Sequence, residues 1–100
     1  MIRLGKTPQM SGVTAQPRKS QATLADLYQL YAQATRNPGQ SAYLTWYTMQ
    51  GDYSLGVIAT VKSGAIWRLT FKGKIETTVL WTLTTNSVDQ IMNQIMACQQ

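Results

Sequence analysis

The chain has 100 residues, which is enough for one domain with a modest hydrophobic core and too few for two. Hydrophobic residues make up 44% and charged residues 13%, a composition typical of a folded rather than a disordered protein. Nine Lys and Arg against four Asp and Glu give a net charge of +5, which favours acidic partners such as an acidic protein, a nucleic acid or an anionic lipid surface.

The residue types that most catalytic and metal sites need are scarce. The sequence has no histidine, the usual general base near neutral pH, and Cys98 is its one cysteine. Zinc-type ligand sets and an intramolecular disulfide are therefore excluded. The acids are scattered, and no phosphate-binding glycine motif is present. We predict a protein that is not an enzyme and has no cofactor or metal.

Neither a membrane span nor a signal peptide is indicated by the hydrophobic pattern. With the single cysteine, this predicts an intracellular protein that is soluble or peripherally attached to a membrane complex. Residues 1–19 combine glycine, proline and serine with the basic residues Arg3, Lys6, Arg18 and Lys19, and show no sustained hydrophobic period. They are predicted to form a flexible basic arm before a single domain over residues 20–100.

A first helix is predicted to start after Ser20 or Thr23, either of which can cap it, and to run to about Arg36. Apolar residues recur there at helical spacing: Leu24, Leu27, Tyr28 and Tyr31. Thr23, with Asp26 three residues later, has the form of a capping box. Pro38 disfavours helical geometry in the residue before it and so ends the helix.

Four β-type segments follow at residues 42–49, 53–62, 65–72 and 75–85, with turns at residues 50–52, 63–64 and 73–74. A closing helix is predicted over residues 86–100, with Asn86 as N-cap and Asp89 in its first turn. The predicted fold class is thus α+β: a helix, a four-stranded antiparallel β-meander and a C-terminal helix.

Turns of two residues would fix which side chains share a sheet face. An aromatic face would then hold Tyr43, Tyr47, Met49, Ile58, Trp67, Leu69, Phe71 and Leu80, with Lys62 among its polar residues. An aliphatic face would hold Leu44, Trp46, Leu55, Val57, Ala59, Val61, Ile66, Val79, Trp81 and Leu83, with Arg68 and Lys72. Because both faces carry large apolar groups, the two helices must divide between them or a partner must cover one.

The function predicted from these faces is a non-enzymatic protein-interaction domain, an accessory or adaptor subunit of a larger, partly acidic protein assembly. The predicted apolar contacts are Tyr43, Tyr47, Trp67 and Phe71, and the predicted electrostatic contacts are Lys62, Arg68, Lys72 and Lys74. A homodimer through sheet faces fits the same features. The alternative is a small single-stranded nucleic-acid-binding domain whose aromatics stack on bases. If one helix covers each face, no binding patch is left.

The layout also resembles a known kind of protein. The basic arm, the helix from Thr23 to Thr35, the strands with Tyr43-Leu44-Thr45-Trp46 and Thr78-Val79-Leu80-Trp81, and the closing helix are together similar to small soluble accessory subunits of the V type in the photosynthetic NADH dehydrogenase-like complex. The resemblance implies a cofactor-free subunit bound to the peripheral arm of an electron-transfer complex, near acidic ferredoxin, which the basic hairpin residues would steer or hold.

Overall fold

The computed structural model describes residues 19–99. Its elements are α1 (Leu24–Arg36), β1 (Ser41–Tyr47), β2 (Asp52–Thr60), β3 (Gly64–Lys72), β4 (Thr77–Thr84) and α2 (Val88–Cys98). The strands form one antiparallel sheet in the order β1-β2-β3-β4, so the predicted α+β meander is confirmed. The predicted basic arm over residues 1–19 lies, apart from Lys19, outside the described residues. Neither helix of residues 19–99 has the length and apolar character that crossing a membrane requires.

The capping box predicted for α1 is confirmed. Thr23 Oγ1 accepts a hydrogen bond from the Asp26 N–H at 3.2 Å, and Asp26 Oδ2 accepts one from the Thr23 N–H at 3.1 Å. Lys19 Nζ lies 3.2 Å from Asp26 Oδ1. Burial by itself would raise the pKa of the Asp26 carboxyl, but the hydrogen bonds from Thr23 and the Lys19 ammonium outweigh it and hold this pKa below its ordinary value of 3.8.

Helix α2 begins one residue later than the sequence indicates. Its N-cap is Ser87, whose Oγ accepts from the Gln90 N–H at 3.2 Å, so the prediction that Asn86 caps the helix is wrong. Asn86 Oδ1 instead accepts from the Ala65 N–H at 3.1 Å and from the Tyr31 hydroxyl at 3.3 Å. The Asn86 side chain therefore joins the start of β3 to α1, a use that outweighs capping because Ser87 is also a good cap.

Both helices pack on the same face of the sheet, which we call the covered face. One cluster of buried residues joins α1 and α2 to the sheet: Leu27, Leu30, Ala34, Val88, Ile91 and Ile95 from the helices, and Ala42, Trp46, Leu55, Val57, Ala59, Ala65, Trp67 and Leu69 from the strands. Each large side chain buried there stabilises the fold by about 1.5–3 kcal/mol. The helices thus do not divide between the two faces.

The loop between β2 and β3 changes the face assignment of β3. Thr60 lies opposite Gly64, which leaves three residues in the loop, whereas the predicted two-residue turn would place Lys62 opposite Ala65. Gly64 has a φ of +84°, in the left-handed region that glycine adopts readily. An odd shift in register exchanges the two faces of a strand, so every side chain of β3 points opposite to the prediction.

A β-bulge in β4 makes a second correction. Leu69 pairs with Trp81 but Thr70 pairs with Val79, which leaves Leu80 as an extra residue. Val79 therefore lies on the face opposite to Trp81, although the sequence assigned both to the aliphatic face. The predicted faces of β1 and β2 are confirmed within the strands by their pairing, in which Trp46 lies opposite Tyr53, but Met49 and Val61 lie exposed in the loops that follow these strands and belong to neither face.

Candidate functional site

The second face of the sheet, which we call the open face, has neither helix packed on it. It is formed by alternate strand residues: Ser41, Tyr43, Thr45 and Tyr47 from β1; Asp52, Ser54, Gly56, Ile58 and Thr60 from β2; Gly64, Ile66, Arg68, Thr70 and Lys72 from β3; and Thr77, Val79, Thr82 and Thr84 from β4. Hydroxyl groups dominate this surface, with a few aliphatic side chains, two cations and the carboxylate of Asp52, which pairs directly with Lys72. Its composition is intermediate between a core face and an ordinary solvated face.

Two of the predicted apolar contact residues are not on the open face. Trp67 lies on the covered face with no exposed surface, stacked on Tyr31 with ring centroids 6.0 Å apart, and its Nε1 donates to the Thr85 carbonyl at 2.9 Å. Phe71 lies on the same face against Tyr53, with ring centroids 4.8 Å apart. The prediction that these two rings join the tyrosines in one patch is wrong, because the hairpin loop has three residues.

The same shift brings other predicted residues together. Arg68 and Lys72, which were assigned to the aliphatic face, lie on the open face with Tyr43 and Tyr47. Lys62 lies in the loop before β3, and Lys74 lies in the loop after it. The predicted cations therefore run along β3 from one end of the sheet to the other, and two of them share the face that carries both predicted tyrosines.

A row of directly paired residues crosses the middle of the open face: Tyr43, Gly56, Arg68 and Thr82. Gly56 leaves room that the Tyr43 ring occupies, since a Cβ at position 56 would lie 2.9 Å from Tyr43 Cε1 and 3.2 Å from Cδ1. The ring thus lies over the glycine, as aromatic rings do across from strand glycines. Tyr43 nevertheless keeps 69% of its surface exposed, so most of the ring is available for contact.

A notch of about 190 Å³ opens on this row. It is lined by Ser41, Tyr43, Ser54, Gly56, Val57, Ile58, Ile66, Arg68 and Thr70. The lining holds one cation, four hydroxyl groups and no carboxylate. Within the part of the chain that the structure describes, the one ion pair joins Lys19 to Asp26, so the Arg68 guanidinium has no carboxylate partner there. The notch can therefore accept an anionic group.

The sequence indicated Tyr43 and Arg68 but not the residues that shape the notch. Gly56 lies inside the second predicted strand, and Ser54 and Thr70 have no distinctive sequence context. Glycine inside a strand often marks a close approach by another group, and this is the one local sign of the notch. Its remaining walls depend on pairing across three strands.

Among residues 19–99, no three His, Cys, Asp or Glu side chains lie close enough together to hold a metal ion. Comparisons of the chain with models of protein families, with curated proteins and with solved structures found no match.

Proposed function

We propose that the protein is a non-enzymatic interaction domain, an accessory or adaptor subunit that docks its open face on an acidic surface of a larger protein assembly. The observation that carries this proposal is the asymmetry of the sheet, since both helices pack on the covered face and neither on the open face. Tyrosine and arginine are enriched at the centres of protein interfaces, and Tyr43 and Arg68 lie two strands apart in the central row.

The charge distribution supports an acidic partner. Four cations lie in β3 or in the loops at its two ends: Lys62, Arg68, Lys72 and Lys74. Two acids accompany them on the sheet side of the described chain, Asp52 at the start of β2 and Glu76 in the loop before β4. Excess positive charge along a surface raises the rate at which an acidic partner finds it and fixes the orientation of docking.

The resemblance to V-type accessory subunits of the photosynthetic NADH dehydrogenase-like complex suggests which assembly to consider. It supports an electron-transfer complex, in which the protein would attach peripherally and its cations would face an acidic electron carrier. No redox group is needed in this role, because the domain only holds or orients the carrier.

The test is recovery of partners by the tagged protein from its native cell extract, at low and moderate salt, with and without nuclease. Lys72→Glu reverses a charge on the open face, and Arg36→Glu is the matched control at the exposed end of α1. We expect one stoichiometric, nuclease-resistant set of proteins that Lys72→Glu loses and Arg36→Glu keeps. Retention of that set by Lys72→Glu contradicts docking through the open face.

A second candidate is single-stranded nucleic-acid binding, which the exposed Tyr43 ring favours. A ring that rests on Gly56 and remains 69% exposed can stack on a base, and base stacking contributes about 1–3 kcal/mol per base. Nuclease-sensitive and salt-sensitive recovery would support this function, as would fluorescence anisotropy with a labelled oligothymidine that Tyr43→Phe binds and Tyr43→Ala does not.

A further inference from the structure

We infer that the notch over Gly56 is a subsite for one carboxylate side chain, presented by an acidic segment of the partner protein. This inference rests on the proposed docking function and names the group that anchors it. The occupant follows from the residue types of the lining, which include one basic residue, Arg68, and no acidic residue.

Three successive rows of β2 and β3 give the notch its order. Ser54 pairs with Thr70 in a polar row, Gly56 pairs with Arg68 in the middle row, and Ile58 pairs with Ile66 in an apolar row. Neighbouring rows on one sheet face lie about 7 Å apart, the rise of two strand residues. A side chain with an aliphatic stem and a terminal carboxylate fits these neighbouring rows. Its stem can lie on Ile58 and Ile66 while its carboxylate reaches the Arg68 guanidinium.

The middle row supplies one wall of the notch and a hydrogen-bond donor. Because Gly56 has no side chain, the Tyr43 ring lies directly over it and forms one wall of the notch, and the pairing of Gly56 with Arg68 puts the arginine beside that wall. A guanidinium donates two parallel N–H groups to a carboxylate, a stronger and more directional contact than a lysine ammonium makes. Ser54 and Thr70 form the next row, on the side of Arg68 opposite to the isoleucines, and their hydroxyl groups can donate to the same carboxylate oxygens.

A nucleic-acid strand fits the notch less well. Such a strand carries one charge at every nucleotide, whereas the next cation on β3, Lys72, lies four residues and thus about 13 Å from Arg68. The notch therefore provides one anion contact and no second one beside it. A single acidic side chain among uncharged neighbours needs only that one contact.

The test uses the full-length, ¹⁵N-labelled protein and NMR titration with two capped peptides, one with a glutamate between two leucines and one with glutamine in its place. We expect the glutamate peptide to shift the amide signals of Ser54, Gly56, Arg68 and Thr70, and to bind about tenfold or more tightly than the glutamine peptide. Arg68→Gln should remove this preference. Lys72→Gln, with the same loss of charge on the same strand, should keep it.

Gly56→Ala puts a methyl group where the Tyr43 ring lies and so displaces one wall of the notch without changing any charge; it should also abolish the glutamate preference while the spectrum stays dispersed. Tyr43 is exposed and its ring can move away from the new methyl group, so the fold should survive. Shifts confined to the open face around Lys72 would overturn the subsite and leave the proposed docking function standing. Absence of shifts anywhere on the open face would overturn the subsite. The docking function would then be tested separately by the recovery of partners from cell extract. Tighter binding of an oligothymidine at the notch would overturn the inference in favour of nucleic acid.

Discussion

Replacing Trp67 with alanine tests the register of β3, on which the whole open face depends. The indole has no exposed surface, and truncation of such a core tryptophan costs about 3–5 kcal/mol. Its Nε1 also donates to the Thr85 carbonyl at 2.9 Å, a hydrogen bond that contributes about 1 kcal/mol. Typical domains have about 5–15 kcal/mol of stability, so Trp67→Ala should leave the protein close to unfolding.

Urea unfolding followed by far-ultraviolet circular dichroism measures this loss as a lower midpoint. Tyr43→Ala is the control, because a ring with 69% of its surface exposed should change the free energy of unfolding by no more than about 0.5 kcal/mol. Trp67→Phe keeps a ring against Tyr31 but removes the donor, and an intermediate loss is expected. If Trp67→Ala keeps the wild-type midpoint while losing partner binding, the indole is at the surface and the register described for β3 is wrong.

Other substitutions test single features of the fold. Gly51→Ala should lower the free energy of unfolding in urea by about 1–3 kcal/mol, because its Cβ would lie 2.5 Å from a β3 backbone carbonyl oxygen. Gly56→Ala should cost less than about 1 kcal/mol, because its Cβ meets only an exposed tyrosine ring that can move. Equal losses would refute this contrast. The pKa of Asp26 is lowered in the folded state, so its stabilising effect is complete well above 3.8 and is lost as the pH falls through the folded-state pKa. The difference in unfolding free energy between wild type and Asp26→Asn should therefore shrink in acid, and a constant difference would contradict the capping box. Asn86→Ala should cost about 1–2 kcal/mol, because the Ala65 N–H loses its acceptor, and an unchanged midpoint would exclude that role.

The parts of the fold that local sequence determines could be predicted. The capping box needs only Thr23 and Asp26, and both helices have apolar stripes that face the core. The faces of β1 and β2 followed from alternation. The face of β3 did not, because the stretch from Thr60 to Gly64 permits either a two-residue turn or a three-residue loop with glycine in the left-handed conformation. The Thr60 hydroxyl, which donates to the Gly64 carbonyl at 2.7 Å and accepts from the Ser63 N–H at 3.1 Å, accompanies the three-residue loop.

The candidate site was therefore predicted in its residue types more than in its arrangement. Tyr43, Arg68 and Lys72 were identified, but the sequence assigned Tyr43 and the two cations to opposite faces. The notch over Gly56 exists only once three strands are aligned, and no property of one strand encodes that alignment. The packing of both helices on one sheet face could not be predicted either, because each helix has an apolar stripe that could pack on either face.

The packing of both helices on one face has a consequence for biosynthesis. The Tyr28 hydroxyl donates to Asp89 Oδ1 at 3.4 Å across 61 residues of sequence, so α1 meets α2 only after all four strands have been made. A nascent chain that ends before Val88 contains Trp67 and Leu69 but lacks Ile91 and Ile95, which belong to the same buried cluster in the folded domain. On the ribosome, the apolar side of the sheet should therefore remain accessible to chaperones until α2 emerges, and the domain should then close in one late step.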